Sequence, residues 1–315
     1  MIMAVPRARI AYPPGVLVRR GERSVRLRAP AKVNLWLEVL GKRPDGYHEI
    51  ETLMHTVDLA DEIELRLLAE PGLQFACEPE VCPAAENLAF RAARTVLERS
   101  GEAASAGLSV RLRKRIPAGG GLGGGSSDAA ATLLGACDLL GFRPEPETLR
   151  DWAAELGADV PFFLTGGAAW CRGRGDRVEP LAPRAGFWVL VHAPGLAVST
   201  TGVYRALRLS GGARPGAAAR AAWAGATFAG LEQTMFNRLE ETALERHPAL
   251  RAAQKRLTEA TGRPFRLSGS GSSLFAVFEK HEEAENALHA LESGGIGPLF
   301  LLPTLGSLEI RSGKE

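Results

Sequence analysis

Apolar residues fall on every second position at 25–28 and again at Val33, Leu35, Leu37 and Val39, with polar or exposed positions between them, which is the period of half-buried strand. The alternation returns at Ile63, Leu65 and Leu67, where Glu64 and Arg66 separate the apolar residues. The spacing then lengthens. Asn87 stands where a helix cap is wanted, and Leu88, Ala92 and Val96 continue a helical stripe to about Arg99. Val110 and Leu112 predict a short strand that leads to Pro117, and 126–140 predicts a small-residue helix closed by Gly141. A second helix is expected over 148–156 and a buried strand over 187–191. Residues 213–229 are so rich in Ala, Gly and Arg that they read as an inserted loop or helix. The last third carries helical spacing over 239–246 and 249–261, strand over 274–278, and helix over 282–291. Strands mixed with helices, without a repeating βαβ unit, predict an α+β fold. The prolines near Pro180 and Pro183 divide the chain into an extension (1–24), a first domain (25–182) and a second (183–315).

Composition narrows the function classes. A chain of 315 residues has the length of two domains, and 45% apolar with 23% charged residues is globular composition rather than disorder. The longest apolar runs, 187–190 and 298–303, are far short of the roughly 18–20 residues that cross a bilayer, so no membrane partner is expected. The arginines Arg7, Arg9, Arg19 and Arg20 are interrupted by Pro6, Pro13 and Pro14, with no apolar segment of secretory length. Cys77, Cys82, Cys137 and Cys171 form no CxxC pair, which argues against a zinc site or a disulfide framework. Both observations point to the cytoplasm. A net charge of +2 gives no pull towards nucleic acid; residues 1–28 carry seven arginines against one glutamate but no periodicity, and read as a loosely ordered extension.

The candidate chemistry lies in Pro117-Ala118-Gly119-Gly120-Gly121-Leu122-Gly123-Gly124-Gly125-Ser126-Ser127-Asp128, where six of seven consecutive residues are glycine and a helix follows at once. Glycine allows close approach to the backbone and positive φ, so successive N–H groups can turn to one anion at the positive end of the helix. A polyphosphate suits such a loop. Gly119, Gly121 and Gly124 satisfy GxGxxG, but over a hundred residues precede them and no βαβ unit surrounds them, which excludes a dinucleotide site. Ser126 stands where a Walker A loop requires lysine. Arg113, Lys114, Arg115 and a divalent metal are the available counter-charges.

Through that loop the chain resembles the GHMP kinase superfamily, whose second motif is a proline-led glycine and serine loop over ATP. Pro30-Ala31-Lys32-Val33-Asn34-Leu35, Arg43-Pro44-Asp45-Gly46-Tyr47-His48, 157–163 and Leu267-Ser268-Gly269-Ser270-Gly271 are similar to further motifs of the superfamily branch that phosphorylates a cytidylyl-linked polyol. Only the first 25 residues and the Ala-rich stretch lie outside the match. The resemblance implies two domains, the first like domain 2 of ribosomal protein S5 and the second ferredoxin-like. It implies ATP and Mg²⁺ as cofactors, and 4-diphosphocytidyl-2-C-methyl-D-erythritol, an intermediate of the non-mevalonate isoprenoid route, as the substrate phosphorylated on its 2-hydroxyl. Asp159 is then the base that takes the alcohol proton and Lys32 the cation beside it. Asn34, two positions from Lys32 and on the same strand face, orients the alcohol or a phosphate. Tyr47 and His48 are assigned to the cytosine, Thr200 and Tyr204 to its other face, and Gly269 and Ser270 to the substrate side of the third motif. Residues 117–127, with Asn87 and Lys114, are assigned to ATP. Ser272 departs from the small apolar residue usual after the second glycine. A monomer or weak homodimer is expected. The rival readings are a homoserine or mevalonate-type kinase, which would lack the 43–48 signature, and a ligand-binding relative without catalysis, which would be expected to lack Asp159.

Overall fold

Strand formation begins from the two long alternating segments. The computed structural model describes residues 10–16, 18–102, 105–182, 186–209, 212–225 and 227–306. In chain order they form β1 (Val18–Arg20), β2 (Ser24–Lys42), β3 (His48–Leu68), β4 (Gly72–Glu78), α1 (Leu88–Arg99), β5 (Gly107–Arg113), α2 (Gly124–Leu140), α3 (Pro146–Leu156) and α4 (Val160–Thr165). There follow β6 (Ala168–Gly173), β7 (Arg177–Pro180), β8 (Trp188–His192), α5 (Thr200–Ala206), α6 (Gly216–Ala224), α7 (Phe228–Thr234) and β9 (Phe236–Asn237). The last elements are α8 (Glu240–Arg246), α9 (Pro248–Thr261), β10 (Arg266–Leu267), β11 (Leu274–Phe278), α10 (His281–Ser293) and β12 (Leu299–Pro303). Residues 1–9 of the expected extension, and Pro183 at the expected division, lie outside the described residues.

The α+β class expected from the sequence is the class observed. Contacts gather the chain into two compact units, one of residues 1–30, 60–116 and 124–164, the other of 31–59, 117–123 and 165–315. Strands β2 and β3 each begin in one unit and end in the other, and each is far longer than the spacing predicted. They are also not half-buried: from Ala29 to Val39 every residue of β2 is buried or nearly so, because helices and loops cover the face that alternation alone assigned to solvent. The odd positions are aliphatic. The even positions place Lys32, Asn34, Trp36 and Glu38 in the interior, and a buried polar row of this kind needs partners for each member.

In the first unit the strands follow the order β1–β2–β3–β5–β4, antiparallel except for the β4–β5 pair. Helix α1 starts as its cap predicts, with the Asn87 carboxamide oxygen accepting from the Ala89 N–H at 3.0 Å. Helix α2 is built of small residues so that it can lie close to the sheet: a Cβ on Gly135 would stand 2.7 Å from Leu27 Cδ1 and 2.9 Å from Leu65 Cδ1. It ends at Gly141, with the Phe142 N–H returning to the Cys137 carbonyl at 3.0 Å. The described part of the extension is tied down rather than loose. Tyr12 Oη donates to Asp138 Oδ2 at 3.1 Å, and Arg20 pairs with the same carboxylate at 2.8 Å.

In the second unit β9, β2, β3, β6 and β7 form one sheet, and β10–β11–β8–β12 form an antiparallel sheet of four. The inner side of the latter gathers Leu190, Leu274, Ala276 and Phe278 with Leu250, Leu257, Ala284 and Leu291 from α9 and α10. Trp36 stacks on Trp170 with ring centroids 5.1 Å apart, and buried Glu38 is held by the Arg238 guanidinium through two hydrogen bonds of 2.6 and 2.7 Å. The Ala-rich stretch becomes α6 and the start of α7, with Trp223 buried among its small residues. No helix among the described residues is long and apolar enough to cross a membrane.

Candidate active site

In the second unit the first half of the glycine loop, residues 117–123, meets two other segments of the chain, β2 and 268–273. Lys32 Nζ donates to the Gly121 carbonyl at 2.8 Å and to Asn34 Oδ1 at 2.6 Å, and Lys32 N–H donates to the Leu122 carbonyl at 2.9 Å. Lys32 and Asn34 are only 3% and 4% exposed, so the strand spacing that put them on one face also put them in one buried cluster. The 268–273 segment completes it. Ser268 Oγ donates to the Gly121 carbonyl at 2.9 Å, and the Ser273 N–H to the Gly120 carbonyl at 3.0 Å. Gly121 has φ +74, and a Cβ there would sit 2.1 Å from the Ser268 carbonyl oxygen, so glycine is required on both counts. A Cβ on Gly269 would stand 3.5 Å from Lys32 Nζ and 3.4 Å from Asn34 Oδ1, which shows how closely the third motif approaches the lysine. Ser272 keeps the segment tied to the neighbouring loop by donating to the Leu196 carbonyl at 2.8 Å.

The residues assigned to the base also lie in this unit. A turn at Asp45–Gly46 is closed by Arg43 N–H to the Tyr47 carbonyl at 2.8 Å and by Tyr47 N–H to Asp45 Oδ1 at 3.1 Å. It leaves Tyr47 54% exposed, with the Arg174 guanidinium 5.0 Å from its ring centroid. His48 opens β3. Its ring packs on Tyr204 of α5, centroids 4.9 Å apart and tilted by 32°. Burial and the nearby Lys42 charge hold His48 below the ordinary imidazole range, so it is neutral at pH 7 and offers one donor and one acceptor. Thr200 Oγ1 lies 2.7 Å from Ser270 Oγ, which unites two residues the sequence placed on the substrate side.

In the first unit Gly124, Gly125, Ser126 and Ser127 form the first turn of α2, which starts two residues earlier than the pattern predicted. Leu88 Cδ1 would be 3.8 Å from a Cβ on Gly125 and 3.9 Å from one on Gly157, and Ser126 Oγ 3.8 Å from the latter. The start of α1 with Asn87, the start of α2, and the segment leading to Asp159 therefore converge. Asp159 is half-buried and stands directly before α4. Lys114, expected to face the nucleotide, is buried between two carboxylates: its ammonium bonds Asp61 and, at 2.6 Å, Asp128. Asp61 also accepts from the Arg115 and Ile116 N–H groups. Burial pushes the Asp128 carboxyl up to about 8 despite the Lys114 charge, with Asp61 adding to the rise. Among the described residues Ser127 Oγ and Asp128 Oδ1 are buried without a hydrogen-bond partner.

Sequence reasoning assigned no role to Asp61, Asp128, Ser268 or Arg174, nor to Thr52, whose hydroxyl oxygen accepts from the Asn34 amide at 2.9 Å. Ser268 and Asp128 lie inside motifs it had found, and that membership is a usable signal; nothing in the spacing marks the other three.

Two family models match the chain. The GHMP kinases N terminal domain matches residues 87–167 and the GHMP kinases C terminal domain matches 214–297. A solved 4-(cytidine 5'-diphospho)-2C-methyl-D-erythritol kinase superposes with a TM-score of 0.76 at 40% identity, covering 90% of this chain and 100% of its own. A homoserine kinase from Cytophaga hutchinsonii superposes with a TM-score of 0.67 at 21% identity, over 91% of this chain and 96% of its own, and so shares the fold. These matches define a GHMP kinase. The 4-diphosphocytidyl-2-C-methyl-D-erythritol kinase of Geobacter sp. (strain M21) is 40% identical over 86% of this chain and 95% of its own length. That of Bacillus subtilis (strain 168) is 37% identical over 84% and 91%. The chain belongs to the 4-diphosphocytidyl-2-C-methyl-D-erythritol kinase family.

Proposed function

We propose that the protein uses ATP to phosphorylate the 2-hydroxyl of 4-diphosphocytidyl-2-C-methyl-D-erythritol, in the cytoplasm, as a monomer or weak homodimer. The observation that carries this reading is the buried Lys32 ammonium, held by Asn34 and the Gly121 carbonyl against both the glycine loop and the third motif. Phosphoryl transfer needs little covalent help from protein; it needs positioning and a fixed charge where negative charge develops. Lys32 supplies that charge, Asp159 takes the alcohol proton, and the N–H groups of 118–127 bind the nucleotide phosphates, with Asn87 on the adenosine side, while Lys114 is taken up by Asp61 and Asp128. Tyr47 stacks on the cytosine, neutral His48 bonds its edge, and Asn34, Thr200, Tyr204, Gly269 and Ser270 line the rest of the substrate. In this reading 25–182 is the ATP-binding domain and 183–315 its substrate-side partner.

Among the described residues no group of three or more His, Cys, Asp or Glu is placed to hold a metal. Mg²⁺ carried by the nucleotide would need only one or two protein oxygens, leaving the rest to phosphates and water. Ser127 Oγ is the orphaned oxygen that would meet it. When bound, the ion neutralises charge on the phosphates.

The test is an assay of the purified protein with ATP, Mg²⁺ and 4-diphosphocytidyl-2-C-methyl-D-erythritol, following ADP and the 2-phosphate. Homoserine and mevalonate are expected to be poor substrates. A higher kcat/KM for either would overturn the substrate and leave the fold standing.

A further inference from the structure

The Lys32 ammonium stands at the end of a chain of hydrogen bonds whose direction is forced. Thr52, on β3 and 1% exposed, donates from Oγ1 to the carbonyl oxygen of Trp36 at 2.8 Å. A peptide carbonyl can only accept, so the one hydroxyl proton is committed there and Thr52 turns a lone pair to its other neighbour. That neighbour is Asn34, whose Nδ2 lies 2.9 Å from Thr52 Oγ1. An amide nitrogen can only donate. Asn34 is therefore held with its NH₂ towards Thr52 and its Oδ1 towards Lys32 Nζ, 2.6 Å away. The reversed amide would set N–H donors against an ammonium. The two ends of a carboxamide are alike in shape, and here a backbone carbonyl two groups away decides between them.

We propose that Thr52 is a positioning residue for the phosphoryl transfer, acting through Asn34 to fix the Lys32 ammonium. The inference rests on the reading of Lys32 and Asn34 given above. Asn34 Oδ1 and the Gly121 carbonyl take two N–H groups of the ammonium, so its rotation about Cε–Nζ is fixed and the third N–H has a set direction. Valine at 52 would keep the shape of threonine and remove the lone pair. The Asn34 NH₂ would then be a buried donor without an acceptor, and it would move to find one. A small displacement at a reacting centre costs rate rather than nucleotide affinity.

The experiment compares Thr52→Val, Thr52→Ser, Asn34→Leu and the Thr52→Val/Asn34→Leu double variant in the full chain, measuring kcat and KM for both substrates. Thr52→Val should lower kcat roughly 10-fold with the KM for ATP within about twofold of wild type, and Thr52→Ser should restore it. The double variant should be no worse than Asn34→Leu alone, because Thr52 then has nothing left to act through. An unchanged kcat in Thr52→Val, or losses that multiply in the double variant, would overturn the inference while leaving the site intact. Full kcat in Asn34→Leu would overturn the reading of the site itself, and the inference with it. If Thr52→Val does not fold, the wild-type ¹⁵N spectrum decides. The Asn34 side-chain amide signals, assigned by their loss in Asn34→Asp, should be protected from solvent exchange, and rapid exchange would overturn the proposal.

Discussion

A carboxylate and an imidazole carry the predictions that belong to single residues. Asp159→Asn keeps shape and hydrogen-bonding reach and removes the basic oxygen. Since a positioned general base contributes roughly 10² to 10⁴-fold, kcat should fall by about that factor while ATP affinity and Tm stay near wild type. Near-normal kcat, with transfer shown to be rate-limiting, would mean that positioning by Lys32 and the glycine loop suffices. His48 makes a prediction of opposite kind, one of constancy. Because burial and Lys42 hold it below the ordinary imidazole range, it stays neutral through pH 7, and protons return only below that range. The KM for the cytidylyl substrate should be flat from neutral to alkaline pH and rise at acid pH, and His48→Gln should abolish the acid rise. A rise centred at or above neutral pH would contradict the neutral ring.

For the glycine loop as an element, conformation and crowding can be separated by two neighbouring substitutions. Gly119 and Gly121 both have positive φ, at +67 and +74, so alanine at either costs on the order of 1 kcal/mol in backbone strain. Only at Gly121 does the new Cβ strike another segment, 2.1 Å from the Ser268 carbonyl, whereas nothing lies within 4 Å at Gly119. Gly121→Ala must therefore displace either the 268–273 segment or the carbonyl that holds Lys32. It should lose most of kcat, while Gly119→Ala retains most of it with a smaller drop in Tm. Equal losses in kcat would show that the loop acts through its own flexibility and not through its packing on the third motif.

At the scale of the whole molecule, the buried Asp61–Lys114–Asp128 group ties stability to pH. Folding raises the Asp128 carboxyl from 3.8 to about 8, so between those values the folded chain holds a proton that the unfolded chain has released. Stability from this group is complete below about pH 4 and is lost as pH rises towards 8. The Asp128→Asn variant, neutral at every pH, should lack that decline. Relative to it, the Tm of the wild type should fall from pH 4 to 8 and level off above. Parallel Tm curves would mean that Asp128 is ionised in the fold, with Lys114 and Asp61 facing it as a charged triad.

Local patterning was sufficient wherever a residue's state depends on its chain neighbours. Asn87 capping α1, Gly141 ending α2, β11 at 274–278, the glycine loop opening a helix, and Lys32 sharing a strand face with Asn34 were all legible, because caps, turns and side-chain periodicity act within a few residues. The full length of β2 and β3 and their burial on both faces were not, since what covers a strand comes from distant segments. For the same reason the sequence set Lys114 against the nucleotide, although Asp61 and Asp128 enclose it from 53 and 14 positions away. The sequence by itself determined which chemistry this protein carries, through motif residues whose types and order survive without coordinates. Only the tertiary structure decided how that chemistry is held: which carbonyl orients Thr52, which amide end meets Lys32, and which carboxyl keeps its proton. Those outcomes depend on burial and on hydrogen-bond partners brought together across the chain, and no local pattern encodes them.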